Sequence, residues 1–178
     1  MKLELKWLKQ VPGRPVPFDL IESASAANRK EEALSGGSLV FAKAVHLKGE
    51  ASWQQKNGQI DLTMHIRTAL EVACSRCLSP IALAIALDQQ IVLREEPASG
   101  FGSLLVEEFS YPYGATEIDL MPYARGLIIN SLEFKYLCRP DCKGLCPHCG
   151  HDLNAGPCGC PVEAPRDPRL AVLKKLLS

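Results

Sequence analysis

Six cysteines fall within the 23 residues 138–160, in the stretch LCRPDCKGLCPHCGHDLNAGPCGC that begins at Leu137, and apolar periodicity almost vanishes there. Residues 137–165 are cysteine, glycine, proline and polar side chains, with too few large apolar groups to bury a core of their own. Something other than hydrophobic burial must hold this segment. Two further cysteines, Cys74 and Cys77, bring the total to eight. The opening MKLELKWLKQ interleaves charge with apolar residues and does not read as an export leader. The expected setting is therefore cytoplasmic and reducing, where thiols serve metal binding or redox chemistry in preference to a disulfide framework.

The spacing separates those uses. In GLCPHCG, Cys146 and Cys149 lie on a tight turn closed by Gly150, so both sulfurs can approach one ion. Cys158 and Cys160 return to that ion after an eight-residue loop, completing a closed four-thiolate site of the structural kind. Cys138 with Cys142, and Cys74 with Cys77 in ACSRCL, are each half a site, and the reading adopted here joins them on a second ion. The cofactor expectation is thus two zinc ions. A rival grouping places Cys138, Cys142, Cys146 and Cys149 on one ion, and His148 or His151 is available to replace a cysteine in either scheme.

Catalytic readings fare worse. Cys142, Cys146 and Cys149 match the C-x-x-x-C-x-x-C spacing of radical S-adenosylmethionine enzymes, but only 29 residues follow Cys149, too few for the barrel those enzymes need. Cys74 and Cys77 link two apparent strands, whereas a thioredoxin-like dithiol opens a helix in a βαβ setting. There is no C-x-x-C-H haem signature, G-x-S-x-G elbow or phosphate-binding loop. The expectation is a protein that is not an enzyme.

Before the cysteine-rich tail, alternation dominates. Residues 40–53 and 59–73 read as strands joined across Asn57 and Gly58. In the second, Ile60, Leu62, Met64, Ile66, Leu70 and Val72 share one face and Asp61, His65, Arg67 and Glu71 the other. Ile81, Leu83, Ile85, Leu87, Ile91 and Leu93 repeat the pattern, which predicts an antiparallel meander. His46 and His65 read as ordinary strand histidines. Leu3, Leu5, Trp7 and Leu8 suggest a first strand, residues 22–37 a short helix ending at Gly36 and Gly37, and residues 97–114 a loop with an edge strand at 104–109. Leu120, Tyr123, Ala124, Leu127, Ile128 and Leu132 follow helical spacing, and Asp167 with Pro168 opens a short terminal helix. The fold class is α+β: an antiparallel β-meander domain with a helix (1–134), then a zinc-binding tail that ends in a short helix (135–178). The longest apolar run, residues 81–87, is far below the ~20 residues of a membrane helix, so a soluble chain is expected.

Formal net charge is zero, with 20 Lys and Arg against 20 Asp and Glu, which denies the chain the basic excess of many nucleic-acid binders. The segment 95–133 holds seven acidic residues and Arg125, while 135–178 holds seven basic and four acidic ones, so the tail is mildly basic.

CSRCLSP at 74–80, IDL at 118–120, CRPDCKGLCPHCGHDLN at 138–154, CGC at 158–160 and DPRLAVLKKL at 167–176 together resemble the YceD-like family, the large ribosomal RNA subunit accumulation proteins of bacteria and plastids. The resemblance runs from about residue 40 onward. The chain departs from that pattern where Gly126 replaces the usual acidic residue after Arg125, and where 132–137 lacks the usual prolines. The resemblance implies a non-enzymatic factor in ribosome biogenesis, supporting rRNA accumulation and large-subunit assembly by binding ribosomal RNA or a ribosomal protein of the subunit precursor. Arg76, Lys143, Arg166, Arg169, Lys174 and Lys175 are the candidate RNA contacts, although solvated surface charge explains them equally. The alternatives are a generic zinc-scaffolded protein-interaction module and a thiol redox sensor.

Overall fold

The structure is a computed structural model that describes residues 1–29, 39–95 and 109–160. It divides into two compact units: Met1–Val72 with Ala82–Phe134, and Ala73–Ile81 with the chain from Lys135 onward.

The first unit is built on a sheet of six strands. Strands β2 (Val16–Glu22), β4 (Val45–Gln54), β5 (Gln59–Ala73), β6 (Pro80–Glu95) and β7 (Phe109–Tyr111) lie in that order, and β3 (Val40–Phe41) pairs with the far end of β5. The predicted alternation on β5 holds: Ile60, Leu62, Met64, Ile66 and Leu70 are buried while His65, Arg67 and Glu71 are exposed. The β4–β5 turn spans residues 55–58, and within it only Gly58 has positive φ, at 65°. Leu62 pairs with Ala51 and Ile66 with Leu47, so the apolar positions of neighbouring strands stack on one face. A one-residue slip would turn every one of them to solvent.

Two expectations are corrected. The sheet is mixed, because β7 runs parallel to β6, with Leu93 opposite Phe109. A parallel neighbour needs a crossover of about a dozen residues, and the span 96–108 supplies that length. The N-terminal residues do not form one strand. Lys2–Glu4 is a short β1 paired with β8 (Glu117–Asp119), after which Leu5–Gln10 is helix α1. Leu5 and Leu8, three apart, are buried and Trp7 is exposed. Over so few residues the apolar pattern fits either period, and packing chose the helical one.

There are three helices among the described residues where one was central to the reading. Helix α2 (Ala24–Arg29) occupies the start of the expected 22–37 helix, whose glycine end lies outside the described residues, as do the 104–108 part of the expected edge strand and the terminal helix. Helix α3 (Met121–Ser131) buries Met121, Ala124 and Ile128 in the same cluster as the sheet's apolar face, Leu5 and Leu8. It also buries Arg125, whose guanidinium lies 5.3 Å from the Phe41 ring and donates to the Ala27 carbonyl. No helix among the described residues is long and apolar enough to cross a membrane.

Candidate metal centres

Among its described residues the second unit has one small apolar cluster, in which Ile81, Leu137 and Leu145 pack against Cys74, Cys77 and Cys142. What gives it form is a turn that occurs twice. At Cys74–Ser75–Arg76–Cys77–Leu78, the Cys74 N–H donates to the Ser79 carbonyl (2.8 Å) and the Leu78 N–H to the Cys74 carbonyl (2.9 Å). At Cys146–Pro147–His148–Cys149–Gly150, the Cys146 N–H donates to the His151 carbonyl (2.8 Å) and the Gly150 N–H to the Cys146 carbonyl (2.9 Å). The residue after the second cysteine must take positive φ in both: Gly150 at 72° and Leu78 at 61°, the one non-glycine with positive φ among the described residues. Glycine does this without strain, and leucine at a cost of about 1–2 kcal/mol.

Each turn directs backbone N–H groups at its own first sulfur. Those of Cys77 and Arg76 lower the Cys74 thiol to about 6, and those of Cys149 and His148 lower Cys146 to about 6. Cys77 is also lowered, chiefly by the Ser79 hydroxyl 3.2 Å away. The partners that close each group move the other way. Desolvation and the neighbouring thiols push Cys138 up to about 12, and the nearby Cys149 thiol followed by desolvation pushes Cys160 up to about 12. A metal ion takes thiolates as ligands, so binding to either group would release the protons of its thiols.

The groups formed are Cys74, Cys77, Cys138 and Cys142, and Cys146, Cys149, Cys158 and Cys160, with the ligand atoms of each within 4.8 Å of one another. All eight thiols are free. In the first group Cys77 Sγ is 3.6 Å from Cys138 Sγ, and Cys74 Sγ is 3.8 Å from Cys142 Sγ. Four soft sulfur donors converging on one point fit a tetrahedral metal ion. Cys138 and Cys142 do not join Cys146 and Cys149, and neither His148 nor His151 belongs to a group. The first group is the more buried: Cys74, Cys77 and Cys142 are buried and Cys138 exposed, whereas in the second Cys146 alone is buried.

Three residues separate Cys142 from Cys146, and they thread the groups together. The Leu145 N–H donates to the Arg76 carbonyl (3.1 Å), so the chain passes directly beside the first turn. Gly144 permits this, since a Cβ there would lie 3.0 Å from the Arg76 carbonyl oxygen. Asn154 completes the link. From the loop between Cys149 and Cys158 its Oδ1 accepts from the Lys143 N–H (2.8 Å) and Arg139 Nη2 (2.7 Å), and its Nδ2 donates to Cys142 Sγ (3.5 Å) and Asp152 Oδ1 (2.7 Å). Sequence reasoning missed Asn154 because an asparagine in a polar loop carries no periodicity or ligand signal.

Of the candidate RNA contacts, Arg76 and Lys143 are exposed. Arg76 also has a structural task, donating from Nη1 to the Cys142 carbonyl (2.7 Å). Arg166, Arg169, Lys174 and Lys175 lie outside the described residues.

The family described as "Large ribosomal RNA subunit accumulation protein YceD" matches residues 62–177, a span that contains all eight cysteines. Among curated relatives, a chloroplastic large ribosomal RNA subunit accumulation protein YCED homolog 1 from Zea mays is 24% identical over 165 residues, covering 76% of this chain and 56% of its own length. Its Arabidopsis thaliana counterpart is 24% identical over 60% of this chain and 41% of its own. An uncharacterised protein of Mycobacterium bovis is 31% identical over 99 residues, which are 47% of this chain and 40% of that protein. The chain thus spans about half the length of the curated relatives it matches. No solved structure matches it significantly.

Proposed function

The chain belongs to the YceD family of large ribosomal RNA subunit accumulation proteins, and from that premise we propose that it is a non-enzymatic factor supporting accumulation of large-subunit ribosomal RNA and assembly of the large ribosomal subunit. The observation that carries the reading is that the matched span, 62–177, takes in the whole of the second unit's cysteine framework. Two zinc ions are the proposed cofactors, one held by Cys74, Cys77, Cys138 and Cys142 and one by Cys146, Cys149, Cys158 and Cys160. Zinc is favoured over other soft cations because all-sulfur tetrahedral sets with no open position suit a structural ion. With nothing to leave a coordination position vacant, the role is to fold a unit whose described residues hold only a small apolar cluster.

Charge shapes how such a chain meets its partner. Eight thiolates holding two divalent ions contribute about minus four to a chain of zero formal charge. Phosphate binding rests on many Lys and Arg contacts, so association with the subunit precursor is proposed to rest mainly on a ribosomal protein surface, with limited RNA contact, Arg76 and Lys143 being candidates in the described part.

The test is depletion of the chain in cells, with quantification of large- against small-subunit ribosomal RNA, together with co-sedimentation of the zinc-loaded protein with large-subunit precursors. A fall in large-subunit RNA and co-sedimentation with the precursor are expected. Unchanged RNA ratios and no co-sedimentation would refute the reading.

A further inference from the structure

Leu78 stands where nothing inside its own unit accounts for a leucine. It closes the first cysteine turn at φ 61°, the one non-glycine with positive φ among the described residues. Its side chain is 66% exposed, so no burial offsets the strain. The second turn serves as a comparison within the same chain. It has the same pair of backbone hydrogen bonds, and Gly150 fills the equivalent position at φ 72°. The turn therefore needs no side chain there, and glycine or asparagine would serve a purely structural end at less cost. Backbone strain kept at an exposed position points to a task for the side chain that causes it.

The turn also holds that side chain in place. The Leu78 N–H donates to the Cys74 carbonyl (2.9 Å) and the Cys74 N–H to the Ser79 carbonyl (2.8 Å), which fixes the backbone at Leu78 and just beyond it. Pro80, also exposed, stiffens the chain two residues on. A leucine presented on such a base has little backbone freedom left to lose when a partner covers it. Basic groups border the turn. Arg76 uses Nη1 on the Cys142 carbonyl (2.7 Å), and a guanidinium has further N–H donors to offer. Lys143, which is exposed, is carried past Arg76 by the close approach of Gly144 to the Arg76 carbonyl. Within 135–146 the one acidic residue is Asp141, and it lies 3.6 Å from Arg139.

We infer that Leu78 is the apolar anchor of a protein-docking surface, seated on binding in an apolar pocket whose rim offers carboxylates to Arg76 and Lys143. The inference rests on the ribosomal reading above and names the feature by which the chain grips a protein of the subunit precursor. An aliphatic anchor favours protein over RNA, because unpaired bases are held on aromatic rings or guanidinium planes. One apolar group ringed by polar contacts is also the arrangement that concentrates protein–protein binding energy in few residues.

The test uses the zinc-loaded full chain and purified large-subunit precursor particles, with affinity read from co-sedimentation over a range of particle concentrations. Leu78→Gly should bind about ten- to a hundredfold more weakly, the factor expected when an anchor leucine is no longer buried, although the same change relieves the strain and raises the melting temperature. A residue of structural value alone would not separate stability from binding in that direction. Leu78→Ala, which keeps the left-handed strain, should lose nearly as much, and Leu78→Met should retain most of the affinity. Lys143→Glu should bind more weakly than wild type, most of all at low salt, and unchanged or tighter binding would overturn the carboxylate rim. A photoreactive amino acid in place of Leu78 should form a cross-link to the particle that survives nuclease and is lost with protease. Wild-type affinity in Leu78→Gly or Leu78→Ala would overturn the anchor and leave the ribosomal reading standing. A nuclease-sensitive cross-link, which would assign Leu78 to RNA, or one formed within the chain or between two copies, would do the same. Failure of the wild-type chain to co-sediment at any concentration would instead sink the ribosomal reading, and this inference with it.

Discussion

Changing Asn154 to Ala should weaken the metal site to which Asn154 does not belong by sequence. The residue sits in the loop of the second cysteine group, yet three of its four side-chain hydrogen bonds reach the segment of the first: Lys143 N–H, Arg139 Nη2 and Cys142 Sγ. Alanine leaves the Lys143 N–H without that acceptor and removes one donor from a thiolate. A neutral hydrogen bond contributes about 0.5–1.5 kcal/mol net and one to a charged group about 1.5–3, and distances of 2.8 Å and 3.5 Å place the amide bond at full strength and the sulfur contact toward the low end. The exposed Arg139 contact adds little. Together about 2–3 kcal/mol is at stake, equivalent to roughly 30- to 150-fold in affinity. Titrating the metal-free chain with cobalt(II), whose thiolate charge-transfer band reports each tetrahedral site, in competition with a chelator and in backgrounds where Cys149→Ser or Cys77→Ser silences one group, gives the two affinities separately. The first group should lose that factor and the second much less. Equal affinities in wild type and Asn154→Ala, or a loss confined to the second group, would refute the coupling.

Other outcomes follow from the same geometry. Leu78→Gly should raise thermal stability of the zinc-loaded chain by about 1 kcal/mol because leucine is strained at φ 61° and its side chain is exposed, while Gly150→Leu should cost about as much. Both are read from calorimetric melting. Because three of four sulfurs in the first group are buried and one in the second, a mild chelator should withdraw the Cys146, Cys149, Cys158 and Cys160 ion first, followed by elemental analysis. Gly126→Ala should stabilise α3 by about 0.5–1 kcal/mol in chemical denaturation, since a Cβ there meets nothing within 4 Å. The Asp88 carboxyl is held below the ordinary carboxylate range by His65 and Arg67. A depressed folded value means its stabilisation is present above the unfolded value of about 3.9 and is lost as pH falls through the folded one. Asp88→Asn should flatten the acid limb of a stability–pH curve, and an unchanged limb would contradict the pairing.

How much of this was legible beforehand can be followed residue by residue. The period-two pattern from Ile60 to Leu70 and the helical one from Leu120 to Ile128 were readable because burying one face of a strand or helix requires those repeats whatever the partner. The C-x-x-C turns were readable for a similar reason, as two sulfurs meeting one ion constrain their own local chain. Joining Cys74 and Cys77 to Cys138 and Cys142 across more than 60 residues was an inference from economy, and the rival grouping was equally compatible with spacing. Closure of the chain decides it: Leu145 bonding to Arg76 and Gly144 fitting beside it bring the second segment to the first turn. The parallel direction of edge strand β7, the helical turn at Leu5–Gln10 and the burial of Arg125 were not legible, since each depends on which surfaces meet and leaves no periodicity in a few residues. The opposed basic side chains on β4 and β5 belong to the same class. Alternation fixes that His46, Lys48, His65 and Arg67 all face solvent, but only the register pairing His46 with Arg67 and Lys48 with His65 puts the four in one depression, because neighbours across a sheet are set by hydrogen-bond pairing between strands and not by order along the chain.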